Sequence, residues 1–254
     1  MDFLDALILG AIEGITEFLP ISSTGHLIVV SQFLGLKEDD FLKFFEVAIQ
    51  LGAIFAVIFI YKENLKKDIS LWLKMAIAFV PTGIVGLLFY DDIKALFTSS
   101  VVAYMFIIGG IAFIIAELWF KKVGIKDRSL EDVSYAQALG VGLFQVLAFI
   151  PGTSRSGATI LGGMFLGLGR KGATEFSFML AIPTMLIATA YDVYKNYHLL
   201  DASNSFVLLV GFISSFVFAY IAIKALLVYL SKFDYIPFGI YRIIFGFVLL
   251  LWFL

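Results

Sequence analysis

Six stretches of this chain are apolar over roughly 20 residues, the length an α-helix needs to cross a bilayer: 43–60, 75–90, 101–120, 174–192, 205–223 and 239–254. No other feature narrows the fold as much. Surface-to-volume scaling leaves too little interior in a 254-residue globule to bury six such helices on every side. Hydrophobic residues make up 61% of the chain against about 45–50% in soluble domains, and charged residues 15% against about 25%. The fold class expected is therefore an all-α polytopic membrane protein, a single integral domain over 1–254. A net charge of −2 leaves no basic field for nucleic acid. With no cysteine there is no disulfide or thiolate chemistry, and the acidic start Met1-Asp2-Phe3-Leu4-Asp5 does not read as a signal peptide.

Two further apolar regions, 3–34 and 135–168, are interrupted near the middle by Pro20-Ile21-Ser22-Ser23-Thr24-Gly25 and Pro151-Gly152-Thr153-Ser154-Arg155-Ser156-Gly157. The half on each side of a break is too short to span. Non-helical backbone persists at membrane depth only inside protein or beside a watery cavity, so both regions are expected to be re-entrant helix pairs. On that layout the segments 61–74, 121–134, 168–173 and 224–238 share one side and carry twelve Lys and Arg, Lys126 among them. The other side carries four: Lys37, Lys43, Lys94 and Lys195. The excess marks the first side as cytoplasmic, with both termini outward.

The chain also echoes itself. Phe18-Leu19-Pro20-x-x-Ser23 returns as Phe149-Ile150-Pro151-x-x-Ser154 at an offset of 131. Phe45-x-x-Ala48-Ile49 returns as Phe178-x-x-Ala181-Ile182 at 133, and Tyr104-x-x-Ile107-x-Gly109 as Tyr241-x-x-Ile244-x-Gly246 at 137. The halves, about 1–125 and 134–254, each hold one re-entrant pair and three spans. Three is odd, so the halves are expected to form an inverted-topology repeat, with broken helices building a site near the midplane.

Ionisable groups at that depth are costly and functional by default. Glu13 and Glu17 are four residues apart, so they share a helix face. Like charges that close repel unless a cation lies between them. Thr16, Ser22, Ser23, Thr24 and His26 surround them in sequence. The second region offers Gln145, Thr153, Ser154, Arg155, Ser156 and Thr159, with successive N–H groups from Gly152 onward. A glycine- and serine-rich helix start containing a guanidinium is an anion cradle. Acids, a hard cation and an oxyanion cradle together point to phosphoryl transfer, with serine attack assisted by His or Glu.

The segments Glu13-Gly14-Ile15-Thr16-Glu17-Phe18-Leu19-Pro20-Ile21-Ser22-Ser23-Thr24-Gly25-His26 and Pro151-Gly152-Thr153-Ser154-Arg155-Ser156-Gly157-Ala158-Thr159 resemble the signature motifs of the undecaprenyl-diphosphate phosphatase family of the bacitracin-resistance type. The likeness extends through Phe45–Gly52 and Glu175–Thr184 to essentially the whole chain. It implies a bacterial inner-membrane enzyme with its active site facing outward. Such an enzyme hydrolyses a C55 isoprenoid diphosphate lipid to the monophosphate, with Mg²⁺ or Ca²⁺ as cofactor. The partners implied are that lipid and the membrane, with a homodimer left open. Carried onto this chain, Glu13 and Glu17 are the metal or base candidates. Ser23 is the preferred nucleophile, Ser22 the second, and His26 its partner. Arg155 holds the diphosphate with Ser154, Ser156 and Thr159, beside the Gly152 and Thr153 backbone. Attack by water, with Glu17 or His26 as base, remains an alternative, as does a polyprenyl-phosphate carrier using the same site.

The remaining polar residues read less sharply. Glu46 and Gln50, one turn apart, either bridge helices or line the cavity; Gln145 joins them as a secondary candidate. Glu117, Glu175, Asp192 and Arg242 fall near span ends and are expected at the interface. His198, in a polar loop, is expected to be structural.

Overall fold

The structure is a computed structural model that describes residues 1–96, 98–124, 128, 130–199 and 202–253. Lys126 lies outside the described residues, as do the side chains of Lys94 and His198. The first half holds α1 (Phe3–Glu17), α2 (Ser23–Phe33), α3 (Asp40–Ile60), α4 (Lys62–Lys67), α5 (Ile69–Leu88), α6 (Tyr90–Ala95) and α7 (Ser99–Val123). The second holds α8 (Tyr135–Gln145), α9 (Arg155–Phe165), α10 (Gly169–Asn196), α11 (Ala202–Leu230) and α12 (Ile236–Phe253). No strand occurs among the described residues.

Six helices are long and apolar enough to cross a membrane, namely α3, α5, α7, α10, α11 and α12, matching the six apolar stretches. The chain is a multi-pass membrane protein. Several spans overrun their apolar windows, because long charged side chains at the ends reach water from inside the helix. Helix starts follow short polar residues. Asp39 accepts from the Leu42 N–H at 2.8 Å and Asp68 from Leu71 at 3.1 Å. Ser134 and Gln137 form a reciprocal capping box at the start of α8.

The first helix of each broken region lies against a span of the other half: α1 along α11, and α8 along α5. The α1–α11 approach is backbone to backbone. A Cβ added at Gly14 would run into the Ser215 carbonyl and the Ala219 nitrogen. Small residues permit that contact where no hydrophobic force drives helices together in lipid. Phe18, Phe45, Phe106 and Phe178 are fully buried, whereas Phe33, Leu87 and Leu251 stand exposed on faces that lipid would cover.

None of α1, α2, α8 and α9 exceeds 15 residues. The breaks share one backbone device. Ser22 (φ 66°) and Ser154 (φ 74°), each immediately before a helix, are the non-glycine residues with positive φ among those described. Such conformations cost about 1–3 kcal/mol each and cluster at functional sites. The sequence echo at offset 131 sets Ser23 opposite Ser154; the backbone instead sets Ser22 opposite Ser154, and Ser23 opposite Arg155. At Gly152, φ is +89° and an added Cβ would strike the α7 backbone at Val102, so only glycine fits.

Glu117 corrects the interfacial expectation. It is fully buried, receives Arg170 through both Nε and Nη2 at 2.6–3.0 Å, and accepts the Tyr235 N–H at 2.9 Å. Its place one turn from the span end hid a partner brought in from α10.

Candidate active site

The α2 and α9 N-termini converge on a cavity of about 160 Å³ lined by Glu17, Ser22, Ser23, Gly152, Ser154 and Arg155, with Thr24, Gln50 and Met185 at its edges. Two helix starts aimed at one space present free N–H groups and the positive ends of two macrodipoles. Gln50 sits near the middle of α3, so the cavity lies deep along that span.

Glu17 is the hub. Its Oε2 accepts from Ser23 Oγ at 2.7 Å and its Oε1 from Arg155 Nη2 at 2.9 Å. Both charged side chains are nearly enclosed, with exposures of 8% for Glu17 and 11% for Arg155. The guanidinium also donates to the Ser177 carbonyl at 3.0 Å and lies over the Phe18 ring. Its Nε is buried without an acceptor. Glu13, one turn before Glu17, is fully buried with neither carboxylate oxygen hydrogen-bonded.

His26 is not placed against Ser23. Its Nδ1 is 2.7 Å from the Ser22 carbonyl and its Nε2 2.6 Å from the Tyr241 hydroxyl, and the ring stacks on Phe245. A carbonyl only accepts, so Nδ1 carries a proton and neutral Nε2 accepts from Tyr241. The ring lies against Tyr241 and Phe245 of α12 and does not line the cavity, so His26 supports Ser22 while Glu17 is the group that meets Ser23.

The hydroxyls of the second motif divide. Ser154 lines the cavity; its Oγ accepts the Gly157 N–H at 3.1 Å. Ser156 and Thr159, expected on the phosphate, face inward instead. Ser156 Oγ lies 3.1 Å from the carbonyls of Glu17 and Leu19, and Thr159 donates to the Arg155 carbonyl at 2.9 Å and meets Ser177. Both are fully buried, which leaves their hydroxyls to satisfy backbone freed by the breaks. Thr153 Oγ1 is buried without a partner and does not line the cavity. Of the secondary candidates, Gln50 reaches the cavity, and Glu46 lines a neighbouring one with Glu38 and Lys43. Gln145 bridges Thr82 and Thr184 at 2.9 and 3.3 Å.

Arg242 is the second correction to the interfacial expectation. It is fully buried and touches both breaks. A lone Arg within an apolar span, beside a Tyr that belongs to the repeat, was the available signal for it.

The carboxylates a divalent cation would use are one turn apart: Glu13, with both oxygens unspent but not lining the cavity, and Glu17, whose oxygens hold Ser23 and Arg155. No cluster of three or more His, Cys, Asp or Glu ligands occurs among the described residues. Phosphate oxygens and water would complete the coordination, as is usual for Mg²⁺.

Fold and site together define a multi-pass membrane protein with an acid–serine–arginine cluster enclosed between two helix N-termini. The chain belongs to the family described as bacitracin resistance protein BacA, whose model matches residues 6–248. It is 56% identical over 250 residues to an undecaprenyl-diphosphatase of Wolinella succinogenes, covering 98% of both chains. It is 53% identical to one of Persephonella marina, with 99% of both covered, and 54% identical to one of Campylobacter fetus subsp. fetus over the full length of both.

Proposed function

We propose that this chain is an undecaprenyl-diphosphate phosphatase, releasing inorganic phosphate from a C55 isoprenoid diphosphate and returning the lipid monophosphate to cell-wall synthesis. The observation that carries the reading is Glu17, which takes a serine hydroxyl on one oxygen and a guanidinium on the other. Nucleophile, base and anion grip thus meet on a single carboxylate. A carrier of polyprenyl phosphate would use the grip but has no use for a serine hydrogen-bonded to an acid.

The terminal phosphate enters between the α2 and α9 N-termini and takes over Arg155 from Glu17, engaging the unspent Nε as well. Freed from the ion pair, Glu17 accepts the Ser23 proton as Oγ attacks the terminal phosphorus. The Oγ–P bond forms as the bridging P–O bond breaks, and the lipid monophosphate leaves. Arg155 and the helix-start N–H groups hold the charge on the equatorial oxygens. Glu17 passes the Ser23 proton to the departing lipid monophosphate. Ionised again, it takes a proton from water, whose oxygen attacks the phosphoserine phosphorus as the Oγ–P bond breaks, and it returns this proton to Ser23 Oγ as inorganic phosphate departs. When bound, a divalent cation on Glu13 and Glu17 supplies neutralisation of the diphosphate charge.

The broken pairs α1–α2 and α8–α9 are re-entrant in this reading, and the halves 1–125 and 134–254 are inverted. Support comes from their short helices and the crossed packing of α1 on α11 and α8 on α5. The lysine-rich segments then face the cytoplasm, both termini face outward, and the site opens to the outer side. Phosphate release from a long-chain isoprenoid diphosphate by purified protein tests the function. A phosphoserine at Ser23 in an acid-quenched reaction supports the serine pathway. No release from folded protein overturns the phosphatase.

A further inference from the structure

We propose that Arg242, with Tyr241 beside it, is a positioning residue that holds the two breaks in register, an inference that rests on the phosphatase reading for its kinetic half. The Arg242 guanidinium is fully buried and donates only to backbone. Nη1 reaches the Pro20 carbonyl at 3.1 Å and Nη2 the Gly152 carbonyl at 3.0 Å. Nη2 also reaches Met105 at 2.9 Å, and Nε reaches Phe106 at 3.4 Å, both on α7. Among the described residues no carboxylate pairs with it.

The two break carbonyls are equivalent. Pro20 lies three residues before Ser23, and Gly152 three before Arg155, the two residues the backbone sets opposite each other. One rigid planar fork, anchored on α7, therefore fixes the spacing of the carbonyls that lead into the nucleophile and the phosphate grip. Arg242 takes up the space at Gly109 of α7, where an added Cβ would overlap Nη2. Tyr241 adds a second hold on the first break. Its hydroxyl lies 2.6 Å from His26 Nε2, and His26 Nδ1 meets the carbonyl of the strained Ser22. A buried charge is an expensive way to satisfy four carbonyls, and it is explained if the spacing of two of them sets the distance from Ser23 to Arg155.

The test uses Arg242→Lys, which keeps the charge and loses the fork, and Gly109→Ala, which keeps the guanidinium and displaces it. Expected in both is a fall in kcat per folded enzyme of about 10²-fold, the size of effect an ångström of misplacement produces, with KM for the lipid little changed. Because the chain has no cysteine, Thr24→Cys and Ala148→Cys can carry a spin-label pair that reports the distance between the breaks. That distribution should broaden or shift when Arg242→Lys is added. Wild-type kcat with an unmoved distance overturns the proposal, and so does a lowered melting temperature with normal kcat per folded molecule. A raised KM at unchanged kcat would also overturn it, by placing Arg242 on the substrate. If Arg242→Lys fails to fold, Gly109→Ala carries the same expectations. Absence of phosphate release from the wild type would remove the phosphatase reading, while the label distance would still decide the clamp.

Discussion

Arg155 and Ser23 hold opposite oxygens of the Glu17 carboxylate, at 2.9 and 2.7 Å, although Arg155 stands 138 residues beyond Glu17 in the chain. The ion pair is nearly enclosed, so its Coulomb attraction is little screened and neither charge is left alone. A phosphate oxyanion can replace a carboxylate on a guanidinium and keep that charge paired. In the proposed mechanism binding and base activation are one event: the phosphate that occupies Arg155 releases Glu17 for Ser23.

Glu17→Gln keeps the shape of the side chain and removes both the base and the charge. Phosphate release should fall about 10²–10⁴-fold, the usual contribution of a positioned base. Ser23→Ala should cost a similar factor, and the double variant little more than either alone, because the groups act as a unit. Steady-state kinetics on the four proteins checks this. Multiplicative losses would mean that the two residues work in separate steps.

Glu13 gives a prediction of a different kind. Two buried carboxylate oxygens without hydrogen bonds are tolerable if a cation takes them up. Chelation should abolish phosphate release, and Mg²⁺ or Ca²⁺ should restore it. Glu13→Gln should raise the cation concentration for half-maximal activity by about 10–100-fold or more, since even outer-shell changes cost that much affinity. An enzyme indifferent to chelator would assign Glu13 another role.

The spans were legible because 20 apolar residues in a row have few other uses, and all six helices overlie their predicted stretches. The breaks were legible from Pro, Gly and hydroxyl residues, and Glu17 and Arg155 were expected in one site; their direct ion pair was not expected. What sequence could not supply was rotation about the helix axis. The resemblance implies His26 as the partner of Ser23, but its ring meets the Ser22 carbonyl and the Tyr241 hydroxyl instead. Ser156 and Thr159 carry the right chemistry yet face inward, as a motif written in one line does not reveal. Arg242 and Glu117 were misplaced because a charge near a span end looks the same whether it snorkels or meets a partner from a distant segment.

Glu117 sits with zero exposure, held by Arg170 and the Tyr235 N–H. Glu117→Gln removes the charge from the acceptor of Arg170 Nε and Nη2, so the protein should lose about 1–3 kcal/mol of stability. Unfolding of purified protein in detergent measures it. Turnover per folded molecule should stay unchanged, because this cluster binds the ends of α7, α10 and α12 rather than the cavity. Loss of turnover at unchanged stability would tie the cluster to catalysis.

Asp234, in the turn between α11 and α12, supplies the pH prediction. Partial burial pushes its carboxyl up. The hydrogen bond from Lys121 at 2.6 Å, the Ile236 N–H and the Lys121 and Arg170 charges outweigh that and hold it below its ordinary range. A group depressed in the folded state contributes stability above its unfolded value, about 3.9 for Asp. That contribution is lost as pH falls from there toward the folded value. At neutral pH the wild type should therefore melt above Asp234→Asn, by a small margin because Lys121 is half exposed. The margin should close between about pH 5 and pH 3, where thermal unfolding of the two proteins is compared. A margin that stays constant across that range would mean that Asn keeps the contacts and that the Lys121–Asp234 charge pair contributes nothing.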